Sequence, residues 1–206
     1  MGNMANFIYQ TDLFLFYLIN HTISNNIFDK FFVFITDVKH WYLIYFIFWA
    51  ILFFKGGRKG KIAAVFAILL IIVSDQVSSS LIKNWIGRIR PSTALADARV
   101  LVGTGSFSFP SSHAVNNFAM AVYFSRLYPG YKTLLYITAS LVALSRPYVG
   151  VHYPSDIIGG ALIGALIGWV FAYLGILIEN RGNIVINNVF FEKLKEYLNT
   201  KIRVIK

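Results

Sequence analysis

Long apolar runs alternate with short polar stretches along this chain. Two runs, residues 62–82 and 157–178, are long enough to cross about 30 Å of hydrocarbon at about 1.5 Å per residue. Three shorter runs, residues 41–54, 114–127 and 133–144, reach that length when flanking polar residues join the helices at the membrane edge. The pattern predicts an all-α integral membrane bundle of about five transmembrane helices, with further helices before it.

The segments outside these runs are less uniformly apolar. Residues 7–37 mix aromatic and aliphatic positions with charged ones, which predicts one or two helices lying in the outer membrane interface. The last residues are basic and partly amphipathic, which predicts a tail on the cytoplasmic surface or, alternatively, a partly disordered tail. The predicted organisation is N-terminal interfacial helices (1–40), a transmembrane domain (41–179) and a basic amphipathic cytoplasmic tail (180–206).

Small and polar residues inside the long runs predict helix packing. Gly160, Gly164 and Gly168 recur at every fourth position, a spacing that lets helices approach closely in lipid. Asp75 and the serines at 78–80 also lie within a predicted span, where interhelical hydrogen bonds are the expected role.

Composition supports a membrane protein and argues against several other classes. Of 206 residues, 57% are hydrophobic and only 14% charged, which is too much apolar surface for one soluble core. The formal net charge of +10 comes from cations at the margins of apolar runs, and no nucleic-acid-binding motif is present, so we expect no nucleic-acid partner. With no cysteine, neither disulfides nor thiolate chemistry is available.

The distribution of cations predicts an orientation. Basic clusters at 55–61, at 126–132 and from residue 181 onward mark the cytoplasmic side by the positive-inside rule. Lys83, Arg88, Arg90 and Arg99 then fall on the opposite side, against that rule. Anion binding would explain them as a group. For Arg88 and Arg99 taken alone, we interpret the side chains as interfacial cations that snorkel toward water.

Polar residues also cluster at the ends of the apolar runs, in three short strings. These strings are Lys83 with Arg90-Pro91, then Pro110-Ser111-Ser112-His113, then Arg146 with His152 and Asp156. Guanidinium groups match phosphoryl oxygens in bidentate fashion, whereas an ammonium acts as a compact charge. Because Lys83 and Arg90 are seven residues apart, we predict that both lie on one face of a single helix that Pro91 ends.

The second and third strings can supply an anion site and an activated imidazole. Ser111 or Ser112 is expected to cap a helix whose free N–H groups bind anions. His152 and Asp156 lie four positions apart. A carboxylate near an imidazole selects one tautomer and stabilises the cation formed when the other nitrogen attacks phosphorus. The simpler roles, helix capping by Asp156 and an interfacial histidine at 113, stay open at this point.

Together, the three strings resemble the signature of the type 2 phosphatidic acid phosphatase family, which is related to vanadium haloperoxidases and glucose-6-phosphatase. The resemblance covers about residues 83–156, with one departure, since the family usually has glycine where this chain has Ser112. It implies three catalytic residues: His152 as the nucleophile that forms a phosphohistidine, Asp156 as its orienting partner and His113 as the general acid. It also implies phosphate binding by Lys83, Arg90, Ser111, Ser112 and Arg146, without a metal or other cofactor.

The resemblance thus predicts a metal-independent lipid phosphatase in the bacterial inner membrane, with its active site facing the periplasm. Candidate substrates are undecaprenyl diphosphate, phosphatidylglycerol phosphate, phosphatidic acid and lipid A 1-phosphate. The expected partners of the enzyme are the lipid substrate and the bilayer, and no obligate protein partner is inferred.

One alternative is an anion transporter or channel lined by the same cations. Another is a metal site formed by His113, His152 and Asp156, although three nearby cations would repel a metal ion.

Overall fold

The computed structural model describes the backbone of residues 2–204 and the side chains of residues 6–181. Residues 2–204 contain no strand, which confirms the predicted all-α class. The α-helices, in chain order, are α1 (Gly2–Tyr17), α2 (Asn26–Thr36), α3 (Tyr42–Lys55), α4 (Gly57–Asp75), α5 (Lys83–Ile86), α6 (Pro91–Ala94), α7 (Ser112–Leu127), α8 (Lys132–Tyr148) and α9 (Pro154–Val204). Two π-helical turns, Leu18–Thr22 and Gln76–Ile82, and two 3-10 turns, Val38–Trp41 and Pro129–Tyr131, join some of them.

The protein is an integral membrane helical bundle. Among the described residues, three helical stretches are long and apolar enough to cross a bilayer: Val38–Lys55, Gly57–Ala94 and Pro154–Arg181. The two remaining predicted spans correspond to α7 and α8, which have 16 and 17 residues. The count of five spans therefore stays a prediction. So does the amphipathic tail, because its side chains from residue 182 onward lie outside the described part.

The glycine repeat brings α7 and α9 into backbone contact. A Cβ atom added at Gly164 would lie 2.2 Å from the Val115 carbonyl oxygen, and one at Gly168 would lie 2.2 Å from that of Ala119. Only glycine permits this separation, so the packing role predicted for the repeat is confirmed. Because the two helices run in the same direction, they begin at the same end of the bundle, and the second and third strings become neighbours there.

The interhelical hydrogen bonds predicted near Asp75 are only partly present. Ser79 Oγ lies 3.0 Å from Ser112 Oγ, which joins the π-helical turn to the start of α7. Ser78 and Ser80 bond within their own helix, Ser78 to the Asp75 carbonyl and Ser80 to a side chain four residues earlier. The prediction holds for Ser79 and was wrong for its two neighbours, because successive helix positions face different directions.

The single helix predicted to carry both Lys83 and Arg90 is not present. The helix α5 ends at Gly87, whose φ of +64° is a left-handed conformation that glycine adopts without strain. Arg90 is extended, with φ −75° and ψ 152°, because a residue before proline avoids helical geometry. Pro91 begins α6 instead of ending a helix. The prediction was wrong because the helix that carries Lys83 ends at Gly87, its C-cap, and not at Pro91.

The N-terminal segment forms two helices, as predicted, and both contact the bundle. Asn20 Nδ2 donates to the Tyr148 carbonyl at 2.7 Å, and the Tyr148 hydroxyl donates to Asp29 Oδ1 at 2.7 Å. The rings of Phe32 and Tyr148 have centroids 4.4 Å apart. These contacts attach α2 and the π-helical turn after α1 to the end of α8, where the third string begins.

The basic turns predicted to face the cytoplasm meet at the opposite end of the bundle. Lys59 Nζ lies 5.0 Å from the ring centroid of Tyr128, which links the α3–α4 turn to the α7–α8 turn. Arg58 Nη2 donates to the Ile178 carbonyl oxygen at 3.4 Å. The structure thus separates the basic turns from the three strings along the long axis of the bundle.

Candidate active site

The imidazole of His152 lies fully within the protein, in the loop between α8 and α9. A hydrogen bond from the Val151 amide to the Arg146 carbonyl, 3.2 Å long, shapes this loop. His152 is 2% exposed and Asp156, in the first turn of α9, is completely buried. His152 Nδ1 lies 3.5 Å from Asp156 Oδ2, which is ion-pair range but longer than an ordinary hydrogen bond. The predicted pair is therefore brought together, with a long contact.

Arg90 determines which nitrogen of His152 carries the proton. Its Nη1 donates to the Val151 carbonyl at 2.9 Å and lies 3.1 Å from His152 Nε2. A guanidinium has only donors, so Nε2 must be the acceptor and the ring proton must be on Nδ1, toward Asp156. Burial, with the nearby arginine charges, lowers the pKa of His152 to about 3. The imidazole is thus neutral at neutral pH, with its lone pair on Nε2.

The carboxylate of Asp156 is held by three groups besides the imidazole. Oδ2 accepts a hydrogen bond from the Tyr153 amide at 2.8 Å and a short one from the Ser108 hydroxyl. Oδ1 accepts from Arg88 Nη1 at 2.7 Å. Asp156 therefore does more than cap α9, and its carboxylate has a fixed plane relative to His152.

Four of the five predicted phosphate ligands are buried at the same end of the bundle, and the fifth, Ser112, is half-buried. Lys83, Arg90, Ser111 and Arg146 are all 9% exposed or less, and Lys83 lies within electrostatic range of both arginines. Among the described side chains, Arg90 Nε, Arg146 Nε and Ser111 Oγ are buried without a hydrogen-bond partner. Buried donors are normally paired. Three unpaired donors, two of them on cationic side chains, are suited to bind an anion.

The start of α7 differs in one respect from the predicted cap. Ser111 is the N-cap residue, but its side chain makes no capping hydrogen bond. Its amide instead donates to the Asp156 carbonyl oxygen at 3.2 Å, which ties α7 to α9. Ser112 is the first residue of the helix, and its hydroxyl faces Ser79. The predicted capping by a serine hydroxyl was therefore wrong: among the described side chains the Ser111 hydroxyl has no partner, and the Ser112 hydroxyl contacts Ser79.

His113 makes a contact that the sequence did not indicate. Its Nε2 lies 3.2 Å from the carbonyl oxygen of Thr36, the last residue of α2. The hydroxyl of the same threonine accepts a hydrogen bond from Arg146 Nη1 at 2.5 Å. One N-terminal residue thus touches a residue of the second string and a residue of the third.

Arg88 and Arg99 are not snorkelling cations. Arg88 Nη2 pairs with Asp12 Oδ2 at 2.6 Å, its Nη1 with Asp156, and its guanidinium lies 4.2 Å from the ring centroid of Tyr153. Arg99 pairs with Asp29 at 2.8 Å. The interpretation was wrong because the carboxylates come from α1, α2 and α9, far away in sequence. In the sequence, the only sign of these ion pairs was the presence of aspartates in otherwise apolar segments.

The geometry also bears on the metal alternative. In the part of the chain whose side chains are described, no three His, Asp or Glu groups are arranged to hold a metal ion. Both oxygens of Asp156 already accept hydrogen bonds from protein groups. Cationic side chains, not further carboxylates, surround the two histidines.

Comparison with known proteins identifies the family of the chain. The sequence model of the PAP2 superfamily matches residues 64–176, more than half of the chain. The chain belongs to the PAP2 superfamily. This confirms the resemblance drawn from the three strings, and the PAP2 match contains all eight predicted site residues. Asp12 and Thr36 lie before it.

Individual relatives match this chain over different shares of their length. A lipid A 4'-phosphatase of Porphyromonas gingivalis is 31% identical over 79% of this chain and 72% of its own length. A lipid A 4'-phosphatase of Bacteroides thetaiotaomicron is 35% identical over 56% of each chain, so this chain spans about half of that relative. The crystal structure of Aquifex aeolicus LpxE superposes with a TM-score of 0.62 at 27% identity, covering 77% of this chain and 93% of that one.

Proposed function

We propose that this protein is an integral membrane lipid phosphatase that works through a phosphohistidine on His152. The observation that carries the proposal is the 3.1 Å contact between Arg90 Nη1 and His152 Nε2. It keeps the lone pair of a neutral imidazole directed at a phosphate-binding cation. A phosphoryl group bound by that cation would lie beside the nucleophile, which is the geometry that covalent catalysis needs.

The proposed reaction has two steps. First, His152 Nε2 exchanges its contact with Arg90 Nη1 for the bound phosphoryl group and attacks phosphorus. The bond to the leaving oxygen breaks, and His113, in its imidazolium form, donates a proton to that oxygen and becomes neutral. Asp156 stabilises the positive charge on the His152 ring. Second, water attacks the phosphohistidine, His113 takes a proton from the water, and the P–N bond breaks to release inorganic phosphate and free His152.

The remaining predicted residues would bind the phosphate. We propose that Lys83, Arg90 and Arg146 neutralise the non-bridging oxygens and that Ser111 Oγ, buried and unpaired, donates to one of them. The amide of Ser112, in the first turn of α7, would add a further donor. Such donors stabilise the transition state most when they are already oriented before the substrate arrives.

The substrate we propose is a phosphate or diphosphate carried on a membrane lipid. Relatives named lipid A 4'-phosphatase, phosphatidylglycerophosphatase B and undecaprenyl-diphosphatase support this class. The candidates are undecaprenyl diphosphate, phosphatidylglycerol phosphate, phosphatidic acid and the phosphates of lipid A. The transporter alternative has less support, because these named relatives of similar sequence are phosphatases.

We also propose a membrane arrangement. Residues 1–40 would lie at the outer interface, residues 41–179 would span the bilayer as the catalytic domain, and residues 180–206 would rest on the cytoplasmic surface. The site would then face the periplasm of a bacterial inner membrane. The separation of the basic turns from the site along the bundle supports this orientation.

Phosphate release from the detergent-solubilised full chain tests the proposal. We expect hydrolysis of at least one lipid in the panel, resistance to EDTA, and inhibition by vanadate, which mimics the five-coordinate transition state. His152→Ala should lose activity by several powers of ten while keeping its thermal midpoint. His40→Ala, an exposed histidine outside the site, is the matched control. Near-normal turnover of His152→Ala would reject His152 as the nucleophile. Loss of activity in EDTA with recovery on adding zinc would favour a metal enzyme.

A further inference from the structure

We propose that Thr36 is a positioning residue of this active site, acting on His113 through its backbone carbonyl and on Arg146 through its hydroxyl. The proposal rests on the phosphatase function proposed above. Thr36 is 4% exposed and is separated by 77 residues from His113 and by 110 from Arg146. It precedes residues 64–176, so the PAP2 match gives it no role.

The carbonyl contact selects the tautomer of His113. The last carbonyls of a helix have no partner within that helix. Thr36 ends α2, and its carbonyl oxygen lies 3.2 Å from His113 Nε2. A carbonyl only accepts, so Nε2 must carry a proton. The other nitrogen, Nδ1, is then the one that exchanges a proton with the leaving group and with water.

The hydroxyl contact orients the guanidinium of Arg146. Nη1 donates to Thr36 Oγ1 at 2.5 Å, and both side chains are buried. This contact restricts the orientation of the guanidinium, whose Nε is buried without a partner among the described side chains. An arginine that is oriented before the substrate binds loses less conformational entropy when it engages a phosphate.

Attachment of α2 to the bundle does not depend on the Thr36 hydroxyl. Asp29 accepts from the Tyr148 hydroxyl and pairs with Arg99, and Phe32 packs on the Tyr148 ring. Removing one hydroxyl should leave these contacts in place. A loss of function in such a variant would therefore reflect the site and not the docking of the helix.

Three variants of the full chain in detergent test the hydroxyl. Thr36→Val removes the hydroxyl and keeps the shape, whereas Thr36→Ser keeps the hydroxyl. Thr138→Val, which removes a hydroxyl that bonds only within α8, is the matched control. We expect Thr36→Val to weaken vanadate inhibition and to lower kcat/KM, each by about tenfold, as for one lost hydrogen bond to a charged group. Thr36→Ser and Thr138→Val should stay within about twofold of the wild type.

A second experiment asks whether Thr36 acts through Arg146. In an Arg146→Lys background, Thr36→Val should cause no further loss of vanadate inhibition, because the contact is already absent. Should Thr36→Val not fold, Thr36→Ala removes the same hydroxyl and carries the same expectation. Wild-type vanadate inhibition in a folded variant that lacks the hydroxyl would overturn this half of the proposal.

The carbonyl is tested without a variant at position 36. In ¹⁵N-histidine-labelled wild-type protein at pH 8, the His113 signal, identified by its loss in His113→Gln, should be the Nε2–H tautomer. An Nδ1–H tautomer would overturn the proposal that the Thr36 carbonyl selects the tautomer of His113. A wild-type protein that hydrolyses no lipid phosphate and does not respond to vanadate would instead reject the proposed function. Activity in the wild type with no effect at Thr36 rejects only the present inference.

Discussion

Arg88 donates a hydrogen bond from Nη1 to Oδ1 of Asp156 at 2.7 Å, and its other terminal nitrogen pairs with Asp12. The guanidinium thus joins a helix before the PAP2 match to the carboxylate beside His152. Because Oδ1 is engaged by Arg88, Oδ2 is the oxygen that faces the imidazole, at 3.5 Å. The ion pair therefore orients the carboxylate and also stabilises the fold.

Replacing Arg88 should affect stability and turnover together. Arg88→Gln leaves two buried carboxylates without their cation, so we expect the free energy of unfolding to fall by about 3 kcal/mol. Adding Asp12→Asn should recover part of that loss, because one unpaired charge is removed. Phosphate release should show a lower kcat with a nearly unchanged KM. Arg126→Gln, an exposed arginine at the other end of the bundle, is the control, and an equal loss there would contradict the prediction.

The buried imidazole of His152 should make stability depend on pH. Its pKa is lowered to about 3 in the folded protein, against about 6.5 when unfolded. Below pH 6.5 the unfolded chain binds a proton at His152 that the folded protein does not bind. The stability gained from the neutral, buried His152 is therefore fully present above pH 6.5 and is lost as the pH falls toward 3. Between pH 7 and 5, the wild type should lose about 2 kcal/mol more of unfolding free energy than His152→Gln. Parallel curves for wild type and His152→Gln would contradict the assignment.

The role of His113 should depend on the leaving group. A general acid contributes about 10²–10⁴-fold, and most when the departing oxygen is strongly basic. We expect His113→Ala to lose activity toward the upper end of that range on phosphatidic acid, and toward the lower end or below it on undecaprenyl diphosphate, whose leaving group is a phosphate. Single-turnover rates are required, because slow product release would hide the chemical step. Equal losses on both substrates would mean that His113 binds phosphate and does not donate a proton.

Cysteine labelling should establish which end of the bundle faces the cytoplasm. The chain has no cysteine, and both Ala96, at the end with the site, and Gly130, in the α7–α8 turn, are exposed. An impermeant thiol reagent applied to intact spheroplasts should label Ala96→Cys and spare Gly130→Cys. Lysis should make both reactive. The reverse pattern would invert the proposed orientation.

Local signals predicted the helices and the candidate site residues. The glycine spacing predicted a close helix contact, because small side chains on one helix face let a neighbouring helix approach, and the structure identifies α7 as that neighbour. The eight site residues were identified from the order of three strings, and the structure gathers them at one end of the bundle. The single helix over Lys83 and Arg90 was mispredicted, because a left-handed glycine and the restriction before a proline outweighed the seven-residue spacing.

The sequence by itself determined the membrane class, the all-α fold and the PAP2 family, and it supplied the candidate residues for phosphate chemistry. Each of these depends on hydrophobicity, on helical spacing or on motifs within a short stretch of chain. Only the tertiary structure decided that Arg88 contacts Asp156 and Asp12, that Ser108 bonds Asp156, and that Thr36 reaches His113 and Arg146. These contacts join residues 48 to 110 positions apart. A polar side chain in an apolar segment signals that a partner is required, but only the folded chain determines which group supplies it.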